Sequence, residues 1–149
     1  MRKKIALLLS LAGFLFLYTS SAFANKAPGR DFYEIKVYHV STSEQVKKVN
    51  AFLQNAYLPA LHKAGIEKVG VYQLTGMDTA SDKKIYVFIP LRSLDQVNTL
   101  EELPAKDPDF IKAANGYWNA AHDAAPYLRI ESIVLKAFAL MPNLIAPSL

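Results

Sequence analysis

Charged and aromatic residues alternate in the segment DFYEIKVYHV, and their types could support chemistry. Strict alternation of this kind predicts a β-strand whose two faces differ. One predicted face holds Ile35 and Val37 and suits a hydrophobic core. The other holds Glu34, Lys36 and Tyr38, whose carboxylate, amine and phenol could orient a small molecule or exchange protons with it.

The elements predicted after this strand would position those side chains. Ser41 and Glu44 fit a capping box at the start of a helix, and Pro59 is expected to kink or end the regular part of that helix. Further strands are predicted over 66–75, 84–91 and 127–138, and further helices over 93–103 and from about 107 to 122. This order predicts an α+β, ferredoxin-like βαββαβ unit, with a four-stranded antiparallel sheet and helices on one face.

Helices on one face leave the other face of the predicted sheet uncovered. We assign the aliphatic side of every strand to the helices, which places aromatic and charged side chains on the helix-free face. The ligand-pocket candidates on that face are Glu34, Lys36, Tyr38, Tyr72, Tyr86 and Arg129. An aromatic face of this extent is typical of an interface or pocket, and two facing sheets would enclose a cavity. In the structural alternative, the charges only pair across strands and the tyrosines only pack a dimer interface.

Residues 1–24 have the pattern of a signal peptide. Arg2, Lys3 and Lys4 precede an apolar run, and the small residues Ala22 and Ala24 favour cleavage before Asn25. We therefore expect a periplasmic or secreted protein with no membrane attachment after cleavage. Residues 25–30 then form a lead-in, 31–140 one domain, and 141–149 a linker-like tail.

Composition excludes several classes of function. Without the predicted signal, the chain has 14 basic and 13 acidic residues. No basic stripe indicates a nucleic-acid partner. The chain has no cysteine, which excludes disulfides and thiolate chemistry. Its three histidines lack metal-ligand spacing, and no phosphate-binding loop or serine elbow is present. We predict no metal and no cofactor.

Several segments together resemble the NIPSNAP family, a branch of the dimeric α/β-barrel superfamily. The first strand is similar to the family's opening strand, with Tyr33, Glu34 and Tyr38 at matching positions. The segments AYLPALHKAGI, KVGVYQLTG, KIYVFIPLRSLDQ and PYLRIESIVLKAF are similar to exported bacterial members. The resemblance extends over nearly all of 31–142, and its specificity lies in the joint order of short motifs.

This resemblance implies a ferredoxin-like unit that pairs through its sheet face, as a homodimer or with a second tandem unit. It implies no reaction: related branches include cofactor-independent monooxygenases and haem-handling enzymes, but their catalytic residues have no match in this sequence. Our leading hypothesis is an exported, dimer-forming module that binds a small molecule between facing sheets. The alternatives are a cofactor-independent monooxygenase or isomerase, with Glu34, Tyr38, Tyr86 and Arg129 as acid–base candidates, or a purely structural interaction protein.

Overall fold

A computed structural model describes residues 29–76 and 83–145. The predicted signal peptide with its cleavage site, most of the lead-in, the predicted hairpin loop after Gly76 and the end of the tail lie outside these residues. The elements are β1 (Phe32–Val40), α1 (Ser43–Phe52), a π-helical segment (Leu53–Tyr57), α2 (Leu58–Lys63), β2 (Gly70–Gln73), β3 (Lys83–Leu91), α3 (Asp95–Lys106), α4 (Pro108–Trp118), a 3₁₀ turn (His122–Ala124) and β4 (Arg129–Lys136).

The four strands form one antiparallel sheet in the order β2-β3-β1-β4. The first strand of the sequence is therefore central, with β3 on one side and β4 on the other. This order and the helices packed on one face confirm the predicted ferredoxin-like α+β fold.

The first helix begins one residue later than the predicted capping box implies. Thr42 is the N-cap, and its hydroxyl accepts a hydrogen bond from the Gln45 amide at 3.1 Å. The Gln45 side chain in turn accepts from the Ser41 amide at 2.8 Å. The arrangement is a shifted form of the predicted capping box: Thr42 caps the helix, and Gln45 at the third helical position binds the amide of Ser41, the residue before the cap.

Pro59 has the predicted effect on helix regularity. The helix passes through the π-helical segment just before this proline, and α2 then continues with Pro59 in its first turn. Gly65 ends the helical region with a φ of 80°, a conformation that favours glycine. The π-helical segment carries the buried residues Leu53, Ala56 and Tyr57.

The later helices follow the predicted signals with different bounds. Asp107 caps α4 by accepting from the Asp109 amide at 3.0 Å, and Pro108 occupies the first helical position. The helix ends at Trp118, before the predicted end at His122. No helix within 29–76 and 83–145 combines the length and apolar character that a membrane crossing requires.

The strand register shows that the predicted facing of β1 is wrong. Residues directly opposite each other across strands point to the same side of a sheet. Lys36 lies opposite Val87 and Tyr38 opposite Ile85, and these β3 residues are fully buried beneath the helices. The helix-covered side of β1 is therefore Glu34, Lys36, Tyr38 and Val40, while Ile35 and Val37 face away from the helices.

The hydrophobic core fills the space between the sheet and the helices. Its helix side is supplied by Val49, Leu53 and Leu61, which repeat at helical spacing, and its sheet side by alternate residues of β3. The fully buried residues of β3 are Ile85, Val87, Ile89 and Leu91. Glu34 and Tyr38 interrupt this otherwise apolar layer at the centre of the sheet.

The chain after β4 returns to the start of β1. The Asp31 amide donates to the Pro142 carbonyl at 2.7 Å, and the Asp31 carboxylate accepts from the Leu144 amide at 3.1 Å. The Asn143 side chain adds a bond to the same carboxylate. These contacts fix the described part of the predicted tail against the sheet and bring Leu144 beside its helix-free face.

Candidate functional site: a buried carboxylate among tyrosines

The six predicted pocket residues divide between the two faces of the sheet. Glu34, Lys36 and Tyr38 lie under the helices, so their predicted place on the helix-free face is wrong. Tyr86 is opposite Val37, and Tyr72 is opposite Tyr86, so these two tyrosines lie on the helix-free face as predicted. Arg129 shares that face, since it lies opposite His39.

Glu34 is the centre of the helix-covered group. The residue is only 1% exposed, which is rare for glutamate unless its charge is compensated. Lys36, two residues along the strand, places its ammonium 2.8 Å from Glu34 Oε1. Ser132 of β4 donates a hydrogen bond to the same oxygen. The second oxygen, Oε2, is buried and has no hydrogen-bond partner in the described part of the chain.

Two helix tyrosines bring their hydroxyls into the same region. The hydroxyls of Tyr57 and Tyr117 are buried, and neither has a hydrogen-bond partner among the described residues. Burial, followed by the charges of Tyr38 and Glu34, raises the pKa of Tyr57 above its ordinary value. Burial, followed by Tyr38 and Tyr127, raises the pKa of Tyr117. Both phenols therefore stay protonated across the physiological range and remain hydrogen-bond donors.

Tyr38 links the sheet to these helix tyrosines. Its pKa is raised first by burial and then by the neighbouring Tyr127 and Glu34. The ring of Tyr127 packs edge-on against Tyr38 at 6.4 Å between centroids, and it also contacts Tyr117. We call Glu34, Lys36, Tyr38, Tyr57, Tyr117, Tyr127 and Ser132 the interior polar group.

The helices place the two unpaired phenols through aromatic stacking. Phe52, at the end of α1, stacks on Tyr57 at 5.8 Å and on Tyr117 of α4 at 3.9 Å. Tyr57 closes the π-helical segment, a local irregularity that is frequent at functional sites. This stacking holds the two tyrosine rings in place and gives their hydroxyls little freedom to turn elsewhere.

The interior polar group reaches solvent along β4. Ile130 and Val134 point to the helix side of the sheet, because they lie opposite Tyr38 and Glu34. They are nevertheless 39% and 42% exposed, and Ser132 between them is exposed as well. The helix layer therefore stops short of β4 and leaves an apolar strip, Ile130 and Val134, beside the buried carboxylate.

The helix-free face has a different character. It carries a mostly apolar cavity of about 530 Å³ lined by Ile35, Tyr72, Tyr86, Phe88 and Leu144. At one end of this face, Glu131 accepts from both His39, at 3.0 Å, and Arg129. His39 is thus a hydrogen-bonded histidine on the face opposite the helices.

Sequence reasoning does not include Tyr57 and Ser132 among the pocket candidates, and for Tyr117 it favours a surface or packing role over a place at the rim of a pocket. Tyr57 and Tyr117 occupy helical positions that otherwise face the core, where aromatic rings usually serve in packing. A useful signal was available: phenols on two helix stripes and a glutamate on the central strand bring several polar atoms into one core. In the described part of the chain, no cluster of histidine, aspartate and glutamate has the arrangement of a metal site.

Comparison with known proteins places this geometry in a known fold. No model of a known protein family matches the chain, and no relative is found among curated proteins. A NIPSNAP family protein of unknown function from Agrobacterium tumefaciens superposes with a TM-score of 0.52 at 14% identity, covering 74% of this chain and 90% of that one. An uncharacterised NIPSNAP domain protein from Burkholderia xenovorans gives 0.51 at 16% identity, covering 75% and 99%.

A third solved structure is similar at a lower score. It is described as a putative antibiotic biosynthesis monooxygenase from Bacillus cereus, with a TM-score of 0.49 at 15% identity, covering 81% of this chain and 100% of that one. The two NIPSNAP structures show that the chain has a NIPSNAP-like fold, as the sequence motifs predicted.

Proposed function

We propose that this protein is an exported, self-pairing module that binds a small organic molecule at the interior polar group. One observation carries the proposal: Glu34 Oε2 and the hydroxyls of Tyr57 and Tyr117 are each buried without hydrogen-bond partners among the described residues. Both of these tyrosines interact electrostatically with Tyr38, which lies on the same strand as Glu34. Buried polar groups in folded proteins are nearly always paired, and each exception requires an explanation, of which a catalytic role is one.

The energetics favour a ligand with complementary groups. Each unpaired buried polar group costs about 1–3 kcal/mol, and more when it is charged. A small molecule that donates to Glu34 and accepts from the tyrosines offsets this cost on binding. The exposed strip of Ile130 and Val134 supplies an apolar surface next to these polar atoms, a combination that is typical of ligand sites.

This location differs from the one expected from the sequence. The sequence hypothesis placed the ligand between two facing sheets, whereas the interior polar group lies between the sheet and the helices of one protomer. Three of the six predicted residues, Glu34, Lys36 and Tyr38, remain in the proposed site. The other three, Tyr72, Tyr86 and Arg129, lie on the helix-free face, which we propose contacts a second copy of the chain.

A thermal-shift screen of small, uncharged aromatic compounds on the mature protein tests the binding proposal. Hits that raise Tm in the wild type and lose their effect in Tyr57→Phe/Tyr117→Phe support it. Glu131→Gln, which removes a carboxylate from the opposite face, serves as the matched control and should keep the response. A screen whose hits act equally on all three proteins argues against the interior polar group.

Self-pairing through the helix-free face is supported by its exposed apolar side chains. Tyr72, Ile133 and Leu135 are all exposed there. Tyr72 lines the apolar cavity, and Ile133 lies opposite its lining residue Ile35. Contiguous apolar surface of this kind on a sheet face is typical of an interface. A second copy of the same face would cover these residues, and the His39–Glu131–Arg129 cluster would lie at the rim.

Export is supported by the N-terminal sequence alone. Expression of the full sequence in a bacterium, followed by mass spectrometry of the protein in the periplasmic or extracellular fraction, tests it. The expected mature N-terminus is Asn25. A protein that stays in the cytoplasm with its first 24 residues attached contradicts the proposal.

A further inference from the structure

We infer that the interior polar group is an acid–base site that binds an uncharged carbonyl compound and exchanges a proton on the carbon beside its carbonyl. Glu34 is the base, and Tyr57 and Tyr117 are the donors to the carbonyl oxygen. This inference rests on the proposed binding function, and it adds the class of compound and the reaction.

Glu34 is held in the manner that a base requires. One oxygen, Oε1, is fixed by the Lys36 ammonium at 2.8 Å and by the Ser132 hydroxyl. The other oxygen is left without a protein partner in a buried place. Two contacts on one oxygen fix the direction of the other, and a preoriented base needs no rearrangement before proton transfer.

The two phenols are suited to a developing negative charge on oxygen. Their raised pKa values keep them neutral, so they donate hydrogen bonds and do not repel an enolate. Neutral donors fixed by packing stabilise an oxyanion without the cost of reorganising solvent. In this buried group the carboxylate can therefore act as the base, while the protonated phenols act as hydrogen-bond donors to the carbonyl oxygen.

The class of compound follows from the charges and the apolar strip. Glu34 already carries the negative charge that Lys36 balances, so an anionic ligand would place a second negative charge beside it. An uncharged compound avoids this repulsion. The exposed side chains of Ile130 and Val134 offer a surface for an apolar body, and the carbonyl end would lie toward the tyrosines.

The step balances without any further reactant. Glu34 Oε2 takes the proton from the carbon, and the C–H bonding pair forms the second bond between that carbon and the carbonyl carbon. The carbonyl π pair moves onto oxygen, which accepts hydrogen bonds from the two phenols. Return of a proton to carbon restores the ketone, and no electron leaves the compound.

Deuterium exchange measures this step directly. We would incubate the bicyclic aryl ketone indanone with the mature protein in D₂O and follow loss of the protons beside the carbonyl by NMR. The wild type should accelerate exchange, and Glu34→Gln should lose about 100-fold or more of that acceleration. Tyr57→Phe and Tyr117→Phe should each lose about 10-fold or more. Glu131→Gln, with a carboxylate on the opposite face, should match the wild type.

Binding is measured in parallel, by the effect of indanone on Tm, with indane as the analogue that lacks a carbonyl and benzoate as the anionic analogue. Indanone that raises Tm with exchange no faster than in Glu34→Gln overturns the acid–base inference and leaves the binding function standing. If indanone neither raises Tm nor exchanges its protons faster, while the screened hits still bind, the inference that the ligand is a carbonyl compound is overturned as well. Circular dichroism checks that each variant is folded, and the tyrosine variants keep the test decisive if Glu34→Gln does not fold.

Discussion

At the residue scale, one buried glutamate explains much of the arrangement around it. Glu34 lies on the central strand beneath the helices, where β3 supplies only aliphatic side chains at the equivalent positions. Lys36 and Ser132 compensate one carboxylate oxygen. Placing a charge in this position costs stability relative to an apolar residue, and the proposed ligand would offset part of that cost.

Removing the cation tests the coupling between Glu34 and Lys36. Lys36→Met should lower the free energy of unfolding by about 3 kcal/mol, because it leaves a buried carboxylate without its counter-charge. The loss should shrink when Glu34→Gln is present in the same chain. Urea denaturation measures all four proteins of this cycle, with Lys112→Met on exposed α4 as a near-neutral control. Additive losses would contradict the coupling.

The buried tyrosines predict a loss of stability at alkaline pH. The pKa values of Tyr38, Tyr57 and Tyr117 are raised in the folded state, while tyrosines of the unfolded chain ionise near pH 10. Their contribution is therefore complete below about pH 10 and falls as pH rises, by about 4 kcal/mol per pH unit for the three together. Denaturant unfolding at a series of pH values measures this slope.

Tyr57→Phe should reduce the alkaline slope by about 1.4 kcal/mol per pH unit, because one of the three groups no longer ionises on unfolding. The absorbance of phenolate follows ionisation in the folded protein. Ionisation of every tyrosine near pH 10 with the fold intact would show that these hydroxyls are not buried.

At the element scale, the sequence predicted the order of strands and helices but not the facing of β1. Residue types that alternate with a period of two show that the two faces of a strand differ. They do not show which of the two faces the helices cover. We used the usual preference for aliphatic residues in the core, which holds for β3. It fails for β1 because Glu34 and Tyr38 belong to an interior polar group. The pairing register, which depends on β3 and β4, was needed to decide between the two facings.

The helix start illustrates a smaller limit of the same kind. Two overlapping capping boxes, Ser41 with Glu44 and Thr42 with Gln45, both fit the local sequence. The residue at which β1 ends determines which of the two is used, and strand pairing sets where β1 ends.

A pair of alanine variants tests the observed cap. Thr42→Ala should lower the free energy of unfolding by about 1 kcal/mol, because it removes the hydroxyl that accepts from the Gln45 amide. Ser41→Ala keeps its backbone bond to the Gln45 side chain and should cost less than about 0.5 kcal/mol. Denaturant unfolding measures both, and a larger loss for Ser41→Ala would favour the predicted box.

At the scale of the whole molecule, the two sides of the sheet are proposed to have separate tasks. The helix side holds the interior polar group, and the helix-free side is the proposed pairing surface. This division changes the expectation for Tyr38→Asp. On the helix-free face that the sequence predicted for Tyr38, this substitution would disturb pairing alone. At the observed buried position, a charge should destabilise the fold itself.

Adjacent residues of β4 test the division of tasks. Ile133 and Val134 are both 42% exposed but point to opposite sides of the sheet. Ile133→Lys should weaken self-association, measured by sedimentation, and leave the Tm shift produced by screened ligands unchanged. Val134→Lys should keep self-association and reduce ligand binding about 10-fold or more. Similar effects of the two variants on both measurements would contradict separate faces.

The central claim concerns which side of the sheet holds the ligand, and intermolecular nuclear Overhauser effects between a bound aromatic compound and assigned tyrosine rings test it most directly. The account predicts contacts with the ring protons of Tyr57 and Tyr117. Contacts confined to Tyr72 and Tyr86, on the helix-free face, would contradict it.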